Sequence, residues 1–441
     1  MKLPFSKSAG SPKPASDTEA ANDAVLDRVA AALTDESPAD MPEADAPPPQ
    51  AEPDSDAKSP ETPPPPVTKA KMTDGLQNRA LSLWQEWAAL RPFAVATLAP
   101  VPFLLLGAFF GGFWALLSLL ILMALGSLLD NFLALPEPGH LEGDDLKRAD
   151  QLCIALAGTH FVLLLIAVFA LSGGSGLGFF SWIAVFLSFG MWFGQVSNSN
   201  GHELIHRTDK RLFRLGMSVF ISMLFGHHTS AHRLIHHRYV ATTEDPNTAA
   251  AGESFYAFAP RAWWEAFLAG YEMESEMRKD RDTERLFDLH PYAVYIGGAM
   301  LGMIIMTTAF GGFGLLAYLA LCAYAQLQLH LSDYVQHYGL LRQKTETGEL
   351  EPVGPQHSWN ARHPVSALMM LNAPRHSDHH RHPSRPFPEL KKPEKGNMPT
   401  LPYSLPMMGA IALVPQLWFR IMDSRLAALR PDLDRWSKPI V

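Results

Sequence analysis

Cysteine is nearly absent: Cys153 and Cys322 are the only two in 441 residues. Far apart and both set among apolar residues, they offer neither a disulfide framework nor a thiolate cage for zinc or an iron–sulfur cluster. Also missing is any Gly-x-Gly-x-x-Gly stretch that would cradle the pyrophosphate of a nicotinamide or flavin dinucleotide. Positive charge is not in excess either. The formal net charge is -8, and the first 71 residues hold 13 Asp and Glu against 7 Lys and Arg. A general affinity for nucleic acid is thereby excluded.

Those 71 residues carry 14 of the 36 prolines, with runs at 47–49 and 63–66. Such a segment buries too little apolar surface to offset the entropy of ordering it, so residues 1–75 are expected to be a disordered acidic extension. No apolar core of a secretory signal lies within it.

What the chain has in abundance is uncharged apolar sequence. A helix needs about 20 apolar residues to cross the hydrocarbon core, and six stretches qualify: about 93–110, 112–130, 151–172, 178–198, 291–309 and 314–332. Three glycine pairs or clusters, Gly111-Gly112, Gly173-Gly174-Ser175-Gly176 and Gly311-Gly312, mark the turns between them. The expected fold is an all-α membrane protein with six transmembrane helices under a histidine-rich cap. Residues 76–200 hold helices 1–4, 201–290 a histidine-cluster segment, 291–333 helices 5–6, and 334–441 the last clusters. An even number of spans returns the chain to its starting side. Arg207, Lys210, Arg211 and Arg214 follow the fourth span, which puts that side in the cytoplasm. Two shorter apolar runs, 213–225 and 405–419, are expected to lie at the interface or in the cap.

Histidine clusters supply the chemistry. His202 and His206 in HELIH, His232, His236 and His237 in AHRLIHH, His337 in YVQHYG, and His376, His379 and His380 in RHSDHH make nine imidazoles on one face. Residues four apart share a helix face, so His202 with His206, His232 with His236, and His376 with His380 are each expected to aim at one point. Neutral imidazole suits iron, zinc, copper and nickel. Nine exceed what one ion uses, so two metals are the economical reading. Glu203, Asp245, Asp333 and Asp378 are candidates to hydrogen-bond ligand imidazoles from behind. HELIH also satisfies H-E-x-x-H, the zinc protease signature with Glu203 as base, but that reading leaves seven histidines without a role. A metal transporter would place its ligands near the bilayer midplane rather than at helix ends.

HELIH, HxxxHH followed by ATxEDP, YVQHYGLLRQ, HSWNxxHPVS and RHSDHHxHP, in this order, resemble the integral-membrane non-haem di-iron alkane hydroxylases, the alkane 1-monooxygenases. The likeness runs from about 90 to 425. It implies hydroxylation of the terminal carbon of medium- or long-chain alkanes with O2 at two irons, the ligands falling on the same nine histidines. Reduction would come from rubredoxin, or a ferredoxin-type carrier, with an NAD(P)H-dependent reductase. The substrate would be a lipid-soluble alkane, its channel passing Leu122 and Met123, and the location a membrane, the inner one in a bacterium. Four places depart from the family pattern: Asp333 where Asn is usual, Gln336 for Glu, Ala231 for Glu, and Ala373-Pro374 for Leu-Gln. These changes leave the histidines intact and bear on the substrate. Xylene-type monooxygenases and fatty-acyl desaturases or hydroxylases are the alternatives.

Overall fold

The structure, a computed structural model, describes residues 85–133, 141, 143–279, 289–392 and 398–429. The acidic extension expected over 1–75 lies outside them. The described residues are helical, with no strand and only two isolated bridges, Lys344 with Leu350 and Asn360 with Thr400.

Among the described residues the first long helix is α1 (Arg91–Phe110), which turns at Gly111 into α2 (Gly112–Leu128). Gly111 sits at φ 59° and ψ −149°, a conformation that glycine adopts without strain. Next come α3 (Gly143–Gly174) and α4 (Phe179–Ile205), joined by the second glycine turn and pinned there by Trp182 Nε1, which donates to Leu171 O at 2.9 Å. After α5 (Lys210–Ser222) and a π-wound segment, Ala231–His236, lies α6 (Phe255–Glu276). The long α7 (Pro291–His337) breaks at Gly311, where φ is 69°. A straight helix would hold residues 302 and 318 about 24 Å apart. Instead, a Cβ added at Gly302 would lie 2.9 Å from Tyr318 Oη, so the two halves fold back on each other. Four short helices complete the order: α8 (Pro364–Met369), α9 (His376–Arg381), α10 (Leu405–Ala412) and α11 (Pro415–Leu429).

Four helices, α1, α3, α4 and α7, are long and apolar enough to cross a membrane. The second expected span, α2, is shorter. Its 17 residues reach roughly 26 Å, just under the thickness of a hydrocarbon core. Outward positions on these helices carry unpacked Phe110, Phe113, Val162, Leu165, Leu301 and Ile304. So large an exposed apolar surface is costly in water and favourable against lipid. Inside, polar side chains tie the helices together. Asn200 Nδ2 donates to Cys153 O at 3.0 Å, and Asn198 Nδ2 to Ala325 O at 2.8 Å. His160 sits between Ser197 Oγ and Ser222 Oγ at 2.9 and 2.8 Å.

Helix bounds depart from expectation in two instructive places. Helix α3 starts at Gly143 rather than near 151, since Asp144 and Asp145 favour its N-terminus and pair with Lys147 and Arg148. Helix α4 does not stop near 198. It passes through a π turn at Phe193–Ser197 and carries His202 on the same rod. The run at 405–419 is two helices, parted just before Pro415, which cannot continue the preceding one. Under them Tyr334, Tyr338, Trp359 and Trp418 form a second buried cluster that fastens the C-terminal segment to the end of α7.

Candidate metal centre

The nine imidazoles converge. They form two groups, His202, His206, His232, His237 and His379, and His236, His337, His376 and His380, with ligand atoms in each group within 4.8 Å of one another. In the first group Nε2 of His232 lies 3.1 Å from that of His206 and 2.9 Å from that of His237, which is 3.2 Å from that of His379. In the second, Nε2 of His376 is 2.8 Å from that of His337 and 3.0 Å from that of His380. Nitrogens bound about 2.1 Å from one ion stand roughly 3 Å apart, so each group fits a metal. The buried Nε2 of His236 has no protein partner and supports the same reading.

The groups lie side by side because adjacent histidines diverge. His236 and His237 go to different groups, as do His380 and His379. This corrects the expected pairing of His232 with His236. The segment Ala231–His236 is wound as a π-helix, so the residue five on, His237, shares the point that His232 faces, and His236 turns away. The pairs His202 with His206 and His376 with His380 do share a group.

Burial sets the electrostatics. The imidazoles of His206, His232, His237, His376, His379 and His380 are held well below their ordinary pKa, chiefly by burial and then by neighbouring histidines. They are therefore neutral at pH 7 and ready to bind a cation without releasing protons. Burial also opposes charge on His236, but the Asp245 carboxylate outweighs it and leaves that imidazole raised.

Among the expected supporting carboxylates, Asp245 touches a cluster imidazole: its Oδ2 accepts from His236 Nδ1 at 2.9 Å. That bond fixes the ring so that Nε2 faces the second group. Glu203 does not contact an imidazole. It accepts from Phe387 N at 3.0 Å and pairs with Arg207, tying α4 to the chain after α9. Asp378 takes both its oxygens to Arg385 Nη1, at 2.7 and 2.6 Å. Asp333 accepts from Asn247 Nδ2 at 2.8 Å. Glu203 and Asp378 thus serve the backbone and arginines, and Asp333 an amide side chain.

A cleft opens between α4 and α7, lined by His202 and His232 of one group and His376 of the other. Leu329, Met370 and Leu405 give it apolar wall, and Asn198, Asp333 and Gln336 polar wall. Neither Leu122 nor Met123 lines it. Leu122 is buried in α2, and Met123 is 47% exposed on its outer side.

Several supporting residues escaped sequence reasoning. Asn360, in HSWN, accepts from Ser377 N at 2.9 Å and donates to Ser377 Oγ at 2.7 Å, which holds the first turn of α9 and its histidines. Asp130, at the end of α2, accepts from Val365 N at 2.6 Å and Ser366 N at 3.2 Å and so anchors α8. His228 is buried in the cleft wall, its ring 5.0 Å from that of His232.

Comparison with known families agrees with this geometry. The profile of the fatty acid desaturase family matches residues 177–411, more than half of the chain. The chain belongs to the fatty acid desaturase family. Within reach of that family's name are relatives with a narrower one. The chain is 35% identical over 269 residues to alkane 1-monooxygenase 1 of Alcanivorax borkumensis, covering 60% of this chain and 65% of the relative. It is 36% identical over 253 residues to an alkane 1-monooxygenase of Ectopseudomonas oleovorans, covering 56% and 61%. At 25% identity over 252 residues, covering 54% and 60%, it also resembles the xylene/toluene monooxygenase hydroxylase component of Pseudomonas putida. The matches span a little under two thirds of these relatives' lengths.

Proposed function

We propose that this fatty acid desaturase family member is a membrane monooxygenase that hydroxylates the terminal carbon of medium- or long-chain alkanes with O2. The observation that carries the proposal is one cleft bordered by two adjacent imidazole groups, in a chain whose relatives are named alkane 1-monooxygenase. His202, His206, His232, His237 and His379 would hold one iron, and His236, His337, His376 and His380 a second. The chemistry that iron would supply there is reduction of O2 and oxidation of an unactivated C–H bond, for which no side-chain acid or base suffices. The protein's part is placement. Asp245 orients His236, Asn360 fixes the turn bearing His376, and Leu329, Met370 and Leu405 offer a hydrocarbon a dry wall.

The reading includes six spans, counting α2 and both halves of α7, with the imidazoles on the cytoplasmic side. The fold-back at Gly311 and the basic residues after α4 support it. Electrons would come from rubredoxin or a ferredoxin-type carrier served by an NAD(P)H-dependent reductase. The two cysteines, both buried and far apart, cannot form such a centre in this chain.

A second reading, hydroxylation of aromatic methyl groups, is favoured by the likeness to the xylene/toluene component and by the polar Asp333 and Gln336 in the cleft. Product analysis decides between them. Purified protein given O2, a reductase system and a mixed panel of alkanes, xylenes and fatty acids is expected to yield 1-alkanols first. Benzylic alcohols in preference would favour the second reading, and desaturated fatty acids would overturn both.

A further inference from the structure

The wall of the cleft carries hydrogen-bond acceptors that the protein leaves unsatisfied. Asn198, 5% exposed, donates from Nδ2 to Gly194 O and Ala325 O at 3.0 and 2.8 Å, and its buried Oδ1 has no partner. Asp333, 6% exposed, accepts from Asn247 on Oδ2, and among the described residues no donor reaches its Oδ1. Gln336 donates to Ala373 O at 3.2 Å, which leaves its Oε1 without a donor among the described residues. Against these three acceptors, Ser199 and Ser332 in the same wall bring one hydroxyl hydrogen each. Asn198 Oδ1 is buried outright, while the other two face the cleft, and acceptors left without a protein donor take one from a ligand or from water. A hydrocarbon has none.

We propose that this wall is a subsite for a primary hydroxyl group: Asp333, with Asn198 and Gln336, accepts the O–H of a long-chain alcohol whose tail lies against Leu329, Met370 and Leu405. The nature of the chain rests on the alkane reading above; the hydroxyl subsite rests on the unsatisfied acceptors. Asp333 is the first of the three, because it brings two oxygens and Asn247 takes only one of them. The subsite would hold the alcohol formed at the metals and equally one drawn from the membrane, so alcohols compete with alkanes for the cleft.

The test is binding without turnover. Metal-loaded full-length protein in nanodiscs is titrated, in the absence of O2, with labelled 1-dodecanol and n-dodecane, each corrected for partition into lipid. The alcohol is expected to bind about tenfold more tightly than the alkane. Asp333→Asn, compared at matched metal content, is expected to weaken alcohol binding about tenfold and alkane binding far less, and Gln336→Met to act in the same direction more weakly, which serves if the first variant fails to fold. A single turnover of labelled alkane separates the two sources: retained product would leave faster from Asp333→Asn than from the parent, whereas an effect on added alcohol alone would restrict the subsite to alcohol from the membrane. Equal affinity for alcohol and alkane, or alcohol binding indifferent to both substitutions, would mean that only water meets these acceptors and would overturn the proposal. Failure of the alkane reading shows separately, as absence of 1-alkanol from the substrate panel while alcohol binding persists.

Discussion

Replacing Asp245 by Asn is expected to empty the buried imidazole group and spare the other. Asp245 Oδ2 accepts from His236 Nδ1 at 2.9 Å and from Thr248 Oγ1 at 2.7 Å, and its Oδ1 from Asn247 N at 3.0 Å. Both side chains of the His236 pair are shielded from solvent. In the Asn variant the amide oxygen can keep only one side of this arrangement. An Nδ2 facing His236 would set donor against donor, and the ring would relieve the conflict by moving its proton to Nε2, the nitrogen that faces His337 and His380. A buried hydrogen bond to a charged group contributes about 1.5–3 kcal/mol, which corresponds to roughly a 10–100-fold loss of affinity when such a supporting partner is removed. The assay is a chelator titration of the purified protein followed by elemental analysis. The parent should release metal in two phases of similar midpoint, and Asp245→Asn should release about half at a chelator concentration lower by that factor. Unchanged release, or an equal shift of both phases, would refute the argument that Asp245 acts through His236 alone.

Other outcomes follow from the same geometry. Asn360→Ala removes the bonds to Ser377 and leaves buried partners unsatisfied, at about 1–3 kcal/mol; a lower melting temperature with partial loss of metal is expected, and unaltered metal content would deny it a role in placing His376. Burial lowers His227 to about 3 and holds His228 well below its ordinary value. The unfolded chain takes up these protons as pH falls through about 6.5 while the folded chain does not, so metal-free protein should lose about 1.4 kcal/mol per pH unit for each such histidine below that point and be insensitive above it. Denaturant unfolding at stepped pH checks this, and a stability that rises on acidification would contradict it. Deleting residues 1–71, which contain no histidine, is expected to leave hydroxylation nearly unchanged, as a turnover assay on membranes with matched protein content would show.

Local patterns in the chain reveal much of this architecture. Glycine pairs mark the turns at 111 and 311, because only positive φ lets an apolar helix double back so tightly. Histidine spacing marks eight of the nine imidazoles, His337 standing alone in YVQHYG. What spacing cannot reveal is winding: a period of 3.6 assigns His232 and His236 to one point, whereas the π turn from Ala231 to His236 sends them to different groups. Nor does it show bonds closed over long separations. Asp130 and Val365 lie 235 residues apart, and Glu203 and Phe387 lie 184 apart. A carboxylate beside a histidine reads as that histidine's partner until packing assigns it elsewhere, as for Glu203 and Asp378. The HSWN and HPVS motifs gain a physical meaning only in the fold, where Asn360 holds the turn of α9 and the start of α8 rests on Asp130.

The proposal that the two imidazole groups are iron sites rests on stoichiometry. Its most direct measurement is the metal content of the full chain purified from its membrane, by elemental analysis against quantitative amino-acid analysis. The account predicts about two irons per chain, falling to about one in Asp245→Asn after mild chelation. One zinc per chain, with iron absent and not restored on reconstitution, would contradict it.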